Sequence, residues 1–87
     1  MEIRVLRKDS DSMLVEFVGE THTLTNLIRE ELWNDNSVLE AAEVKEHPYL
    51  SEPKIFLRVK KGDPKKALAK ALERIERKVE EFKRKVK

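Results

Sequence analysis

The stretch KIFLRVKKGDPKKALAKALERIERKVEEFKRKVK, residues 54–87, decides the fold, because its hydrophobic period changes once and at a readable point. Ile55, Leu57 and Val59 alternate with Phe56, Arg58 and Lys60, the period of a strand with one buried face. Gly62-Asp63-Pro64 then supplies a turn residue, a helix cap and a proline at the first helical position. Beyond it, Leu68, Leu72, Ile75, Val79, Phe82 and Val86 are spaced 4, 3, 4, 3 and 4, a heptad seam in which every step fits a helix. A strand therefore runs directly into a long amphipathic helix over 64–87.

Upstream, the periods alternate again. Ile3 and Val5 oppose Arg4, Leu6 and Lys8, a first strand over 2–8. Asp9-Ser10-Asp11-Ser12 is turn chemistry, since short polar side chains bond their own backbone. Met13, Val15 and Phe17 then face away from Leu14, Glu16 and Val18, so the two strands should form an antiparallel hairpin. After Gly19-Glu20-Thr21, Leu24, Leu27, Ile28 and Leu32 follow a helical stripe, capped by Thr21 or Thr23 and ended at Asn34-Asp35-Asn36-Ser37. That places a helix over about residues 22–33, near the mean length of ~11–12 residues. Residues 38–46 read as a third strand, diluted by Ala41-Ala42 and stopped at His47-Pro48, with a loop over 49–53. The order β-β-α-β-β-α predicts an α+β fold: a two-layer sandwich of a four-stranded antiparallel sheet under two helices, the second one long.

The 87 residues suit one domain. Charged residues make up 41% and hydrophobic ones 39%, enough apolar content for a core. The absence of cysteine removes a disulfide framework, a thiol nucleophile and a Cys-type zinc site. No apolar run approaches the ~20 residues of a membrane span. Met1 leads straight into a charged alternating segment, so no signal peptide is expected and a cytoplasmic location is. Glutamine is absent and the charge is mostly Glu, Lys and Arg, a thermophile-like bias. Charge is uneven: residues 1–63 carry nine Lys/Arg and thirteen Asp/Glu, net −4, whereas 64–87 carry ten and four, net +6.

The last helix is too long for the sheet it should cover. Residues 64–87 span roughly 36 Å at 1.5 Å per residue. A seven-residue strand covers about 23 Å, and four strands side by side about 19 Å. On the order of 10 Å of helix must overhang, carrying some of Val79, Phe82 and Val86, each worth about 1.5–3 kcal/mol if fully buried. An apolar stripe left in water marks a protein contact. Leu68, Leu72 and Ile75 can instead pack on the chain's own sheet and first helix. The polar side of the helix reads as a solvated face with i, i+4 pairs such as Glu73–Arg77 and Glu80–Arg84.

Catalytic chemistry is missing. His22 and His47 stand 25 residues apart without cysteine, which is no zinc ligand set, and no cofactor is implied. The serines lie in turns without a G-x-S-x-G context. Gly19 and Gly62 cannot build a phosphate-cradling loop of either common type. Trp33, at the end of the first helix, has packing as its default role.

One combination is more specific. His22-Thr23-Leu24-Thr25-Asn26-Leu27-Ile28-Arg29-Glu30-Glu31-Leu32, followed by Val38, Ala41-Ala42 and Glu46-His47-Pro48, resembles the signature of the archaeal RNA polymerase subunit L family. That family is related to the eleventh, small assembly subunit of eukaryotic RNA polymerase II and, more remotely, to the N-terminal domain of the bacterial α subunit. The resemblance spans the strand pair, the H-T-L-x-N helix, the H-P loop, the G-D-P turn and the long last helix. It implies a non-catalytic assembly subunit in transcription. Such a protein forms a heterodimer with a larger RNA polymerase subunit, called D in archaea, through helices of both partners. The dimer is the platform for the large catalytic subunits and the other small ones. Leu24, Leu27 and Ile28 of the first helix, and Leu68, Leu72, Ile75, Val79 and Phe82 of the second, would then face that larger partner. His22, Thr23 and Asn26 match the motif and would organise the helix start. Thr25 departs from the glycine common in eukaryotic relatives, and Glu43-Val44 stands where an aromatic and a basic residue are often seen.

Other readings differ in class. A nucleic-acid module would use the basic last helix, but the body is acidic and no aromatics interleave with the basic residues. A small enzyme lacks site chemistry. A homodimer through the same seam is open, because a heptad does not name its partner. Leu6, Leu14, Val18 and Phe56, on the strand face away from the main apolar set, would be a second contact or an ordinary partly apolar surface.

Overall fold

Residues 2–44 and 52–86 are described in the computed structural model. The expected end of the third strand at residues 45–46, the His47-Pro48 stop, the loop over 49–51 and residue 87, the expected end of the last helix, lie outside the described residues.

The alternation at the N-terminus folds as expected. β1 (Glu2–Lys8) and β2 (Ser12–Val18) pair antiparallel, with Ile3 opposite Phe17 and Val5 opposite Val15. The Asp9 N–H donates to the Ser12 carbonyl at 2.8 Å and closes the turn. The register then shifts between Val5 and Arg7, a bulge at Leu6. α1 (His22–Leu32) follows, then β3 (Val38–Val44), β4 (Lys54–Val59) and α2 (Pro64–Lys85).

The sheet order is β1-β2-β4-β3, antiparallel throughout. β4 pairs with both β2 and β3, so α1 carries the chain past an empty slot that β4 later fills. The weak pattern of the third strand has a physical cause. The register slips between Val38 and Glu40, so Val38 and Ala41 both point inward although they are three apart. Trp33 guards this edge: its indole N–H donates to the Ala41 carbonyl at 3.1 Å, occupying an acceptor that an added strand would need.

Both helices lie on one face of the sheet and pack against each other. Met13, Val15 and Phe17 of β2, Ile55, Leu57 and Val59 of β4, and Ala41 of β3 meet Ile28 and Leu32 of α1 and Ala67, Leu68 and Ala71 of α2. The molecule is 17 Å along its thinnest axis, one sheet and one helix layer. The opposite face carries Leu14 beside Phe56 and Phe56 beside Ala42, with Arg58 5.4 Å over the Phe56 ring. No described helix covers it, and none of the described helices is long and apolar enough to cross a membrane.

Candidate partner interface

The start of α1 is built by side chains that serve the backbone. Thr21 is extended and its hydroxyl oxygen accepts from the Leu24 N–H at 3.3 Å, so Thr21 rather than Thr23 is the cap. Gly19 precedes it at φ 78°, a left-handed turn that suits glycine, and its N–H donates to Glu52 Oε2 at 2.9 Å. His22 Nδ1 bonds the carboxylate of Glu43, tying the helix start to β3. Thr25 is fully buried and its hydroxyl donates to the His22 carbonyl at 3.1 Å. Asn26 accepts from Arg29 on the surface. His22, Thr23 and Asn26 are thus exposed around the first turns, and the first two departures from the family pattern, Thr25 and Glu43, are satisfied locally.

α2 begins on a built cap. Asp63 accepts from the Lys65 N–H at 3.0 Å, and Pro64 takes the first turn. The Lys65 N–H, with Lys8 beside it at 3.3 Å, holds the Asp63 carboxyl below its ordinary range. Ala67 and Ala71 are small and fully enclosed, which lets α2 sit close to α1 and the sheet.

The heptad seam divides in two. Leu68 is in the core, and Leu72 and Ile75 are half-buried against it. From Glu76 onward every described residue is exposed. Val79 is 46% exposed, Phe82 67% and Val86 63%. The helix keeps its geometry through Lys85 while its last turns are exposed on every side, so the overhang expected from chain lengths is present. On α1, Leu27 is 46% exposed, Leu24 half-buried and Ile28 wholly enclosed. Of the residues expected to face a partner, Ile28 and Leu68 offer the chain's own core instead. They sit on the inward side of their helices, and an outward role needs accessible surface that they lack. The surface that remains is Leu24, Leu27, Leu72, Ile75, Val79 and Phe82.

Two apolar hollows flank α2, the first of them on this surface. One, of about 210 Å³, lies between the helices and is lined by Leu27, Ile75, Val79 and Phe82 with Glu31 and Lys78. The other, of about 340 Å³, lies between β1 and α2, where Ile3 and Val5 face Leu68 and Leu72.

Sequence reasoning missed the polar group that joins the helices. Glu31 is only 5% exposed, yet it is charged and satisfied. Its Oε2 accepts from Lys78 Nζ at 2.7 Å and its Oε1 from Arg74 Nε at 2.7 Å, while Arg74 Nη2 donates to the Glu31 carbonyl at 3.1 Å. The Lys78 and Arg74 hydrogen bonds hold its carboxyl below the ordinary range, against the desolvation that would raise it. The expected Glu73–Arg77 and Glu80–Arg84 pairs do not form among the described ion pairs; the helix points Arg74 and Lys78 across to α1 instead. The available signal was the spacing of Arg74 and Lys78, four apart on the flank toward Ala67 and Ala71. Among the described residues no group of acidic or histidine side chains could hold a metal ion.

Comparison with known proteins identifies the fold and the family. Residues 12–85 match the RNA polymerase Rpb3/Rpb11 dimerisation domain. The DNA-directed RNA polymerase subunit Rpo11 of Methanothermobacter thermautotrophicus is 38% identical over 82 residues, covering 94% of each chain. That of Thermoplasma volcanium is 31% identical over 80 residues, 92% of this chain and 72% of the relative. The crystal structure of DNA-directed RNA polymerase subunit L from Thermoplasma acidophilum superposes with a TM-score of 0.88 at 31% identity, over 97% of this chain and 83% of that one. With a four-stranded sheet, two helices on one face and a family match over most of its length, the chain belongs to the Rpb3/Rpb11 dimerisation-domain family.

Proposed function

We propose that this chain is a non-catalytic assembly subunit of a DNA-directed RNA polymerase, and that it pairs with the larger D-type subunit through the outer sides of α1 and α2. The observation that supports it most directly is the uncovered end of α2, where Val79 and Phe82 stand in water beside Leu27. A helix that projects an ordered apolar stripe beyond its own sheet is half of a helix–helix contact. Leu24, Leu27, Leu72, Ile75, Val79 and Phe82 supply the contact surface, His22, Thr23 and Asn26 border it at the start of α1, and Ile28 and Leu68 support it from within. The pair is then the platform on which the large catalytic subunits assemble, and nucleic acid is met only through the complex.

The test is co-expression with the D-type subunit of the same polymerase, followed by size and mass analysis beside the chain alone. A 1:1 complex that survives chromatography is the expected result, with a buried area above about 1,000 Å². A chain that stays monomeric in the presence of that larger protein overturns the reading, and one that instead self-associates through α2 replaces it with a homodimer.

A further inference from the structure

Resting on that reading, we infer that Lys78 is a specificity residue of the docking surface: it selects a partner that sets a carboxylate beside the apolar side chain filling the Leu27–Ile75–Val79–Phe82 hollow. Charge balance points to it. Beside the hollow two cations, Arg74 and Lys78, meet one carboxylate, Glu31; Lys78 and Glu31 line the hollow and Arg74 does not. Arg74 is committed to α1, donating both to the Glu31 side chain and to its backbone carbonyl. Lys78 is not: it gives one hydrogen bond to Glu31 Oε2, its side chain is 64% exposed, and an ammonium has two further donors. Asp35 feels Arg74 and Lys70 on the far side of the cluster and has its carboxylate bonded to Ser37, so it does not neutralise the Lys78 end. Among the described ion pairs Glu31 is the one partner of Lys78.

A surface that covers the hollow strips water from Lys78. If it brings only hydrocarbon, those two donors lose water and gain nothing, a cost that disfavours the complex. If it brings a carboxylate, the surplus positive charge is matched in a site that has become dry, where the attraction is strongest. A two-fold pairing that brought the same hollow of a second copy onto this one would set Lys78 against Lys78, so the cluster also discriminates against self-association. The hollow, at about 210 Å³, takes one side chain of leucine or phenylalanine size.

The test measures the affinity of the full chain for the purified D-type subunit at several salt concentrations, for the wild type, K78M, K78E and F82D. Methionine keeps the stem of Lys78 against the hollow and removes the charge, and Arg74 still holds Glu31. We expect K78M to weaken binding about tenfold and flatten its salt dependence, and K78E to weaken it by more than about a hundredfold. Melting temperatures of the free variants control for folding. Equal affinity and equal salt dependence of the wild type and K78M, with F82D still blocking the complex, overturns this inference and leaves the assembly reading intact. Failure of the wild type to bind the larger protein overturns both, and homodimerisation of K78M alone supports the discrimination against self-pairing.

Discussion

Truncating Phe82 and truncating Ile28 should affect two different quantities. The two residues belong to adjacent apolar stripes, but Phe82 is 67% exposed and Ile28 is completely enclosed. With about one third of its ring covered, Phe82 contributes roughly 0.5–1 kcal/mol to the free chain, a fraction of the ~1.5–3 kcal/mol for full burial. Phe82→Ala should therefore lower Tm by only about 2–8 °C in a chain of this size. Ile28→Ala opens a cavity in the core, costs about 2–5 kcal/mol and should lower Tm by at least about 8 °C. In the proposed complex the order should reverse. Covering the remaining two thirds of the Phe82 ring makes it an anchor, so its truncation should cost about 2–3 kcal/mol, a rise in Kd of roughly 30- to 150-fold. Ile28→Ala should leave Kd within a few fold wherever the variant is folded. Differential scanning calorimetry of each free variant, paired with isothermal titration against the D-type subunit below both transitions, reads the two quantities separately. If Phe82→Ala lowers Tm as much as Ile28→Ala, the end of α2 is packed in the free chain and there is no overhang. If its Kd is unchanged, that end is no interface.

Acid should unfold the chain partly through Glu31. Glu31, Asp35 and Asp63 all have carboxyls below their ordinary values of 4.5, 3.8 and 3.8 when folded. The unfolded chain therefore takes up protons first as pH falls; the stabilisation is complete above the ordinary values and is lost as pH drops through the lower folded ones. Tm should be flat from pH 7 to about 5 and fall below it, and the Tm gap between wild type and Glu31→Gln should narrow toward pH 3. A gap independent of pH would remove Glu31 as the cause. Ending the chain after Glu76 keeps every buried hydrophobic residue. The shortened chain should retain its sheet by circular dichroism and lose about 5–10 °C in Tm, from the Lys78 bond and the last partly covered residues, while losing its binding to the larger protein. An unfolded product would mean that the outer half of α2 is needed by the core.

Most of the layout is legible because its elements are locally consistent. β2, β4 and α2 carry clean periods, and the Asp63-Pro64 start is a cap with a mechanism. β3 reads weakly because a bulge breaks alternation in one dimension while preserving burial in three. The order in which strands lie side by side is out of reach, since it depends on where α1 returns the chain. The interface is half legible. Periodicity marks the apolar stripe of α1 but cannot distinguish Ile28, enclosed by the sheet, from Leu27, one residue around the helix and open to water. Glu31 is illegible for a related reason. A glutamate on a charged helix is surface by default, and only the approach of a second helix with Arg74 and Lys78 makes burial tolerable.

The seam on α2 also separates two meanings of one pattern. From Leu68 to Val86 the steps are uniform, yet burial stops at Ile75, one turn before the Lys78 bond to α1. Nothing in the helix changes there; what ends is the surface available beneath it. The heptad thus covers two kinds of residue: those the chain covers itself, through Ile75, and those it leaves exposed, Val79, Phe82 and Val86, which on the proposed reading a partner would cover. Arg74 and Lys78 sit at the division. They tie α2 to α1 at this point, so the outer turns leave in a set direction. A free chain whose α2 swung would present Val79 and Phe82 over a wide arc and would lose affinity to the ordering required on docking. Ionised, the Glu31 carboxylate favours the folded chain, since its hydrogen bonds to Lys78 and Arg74 outweigh its desolvation. Its effect is also directional, and direction is what a half-interface needs.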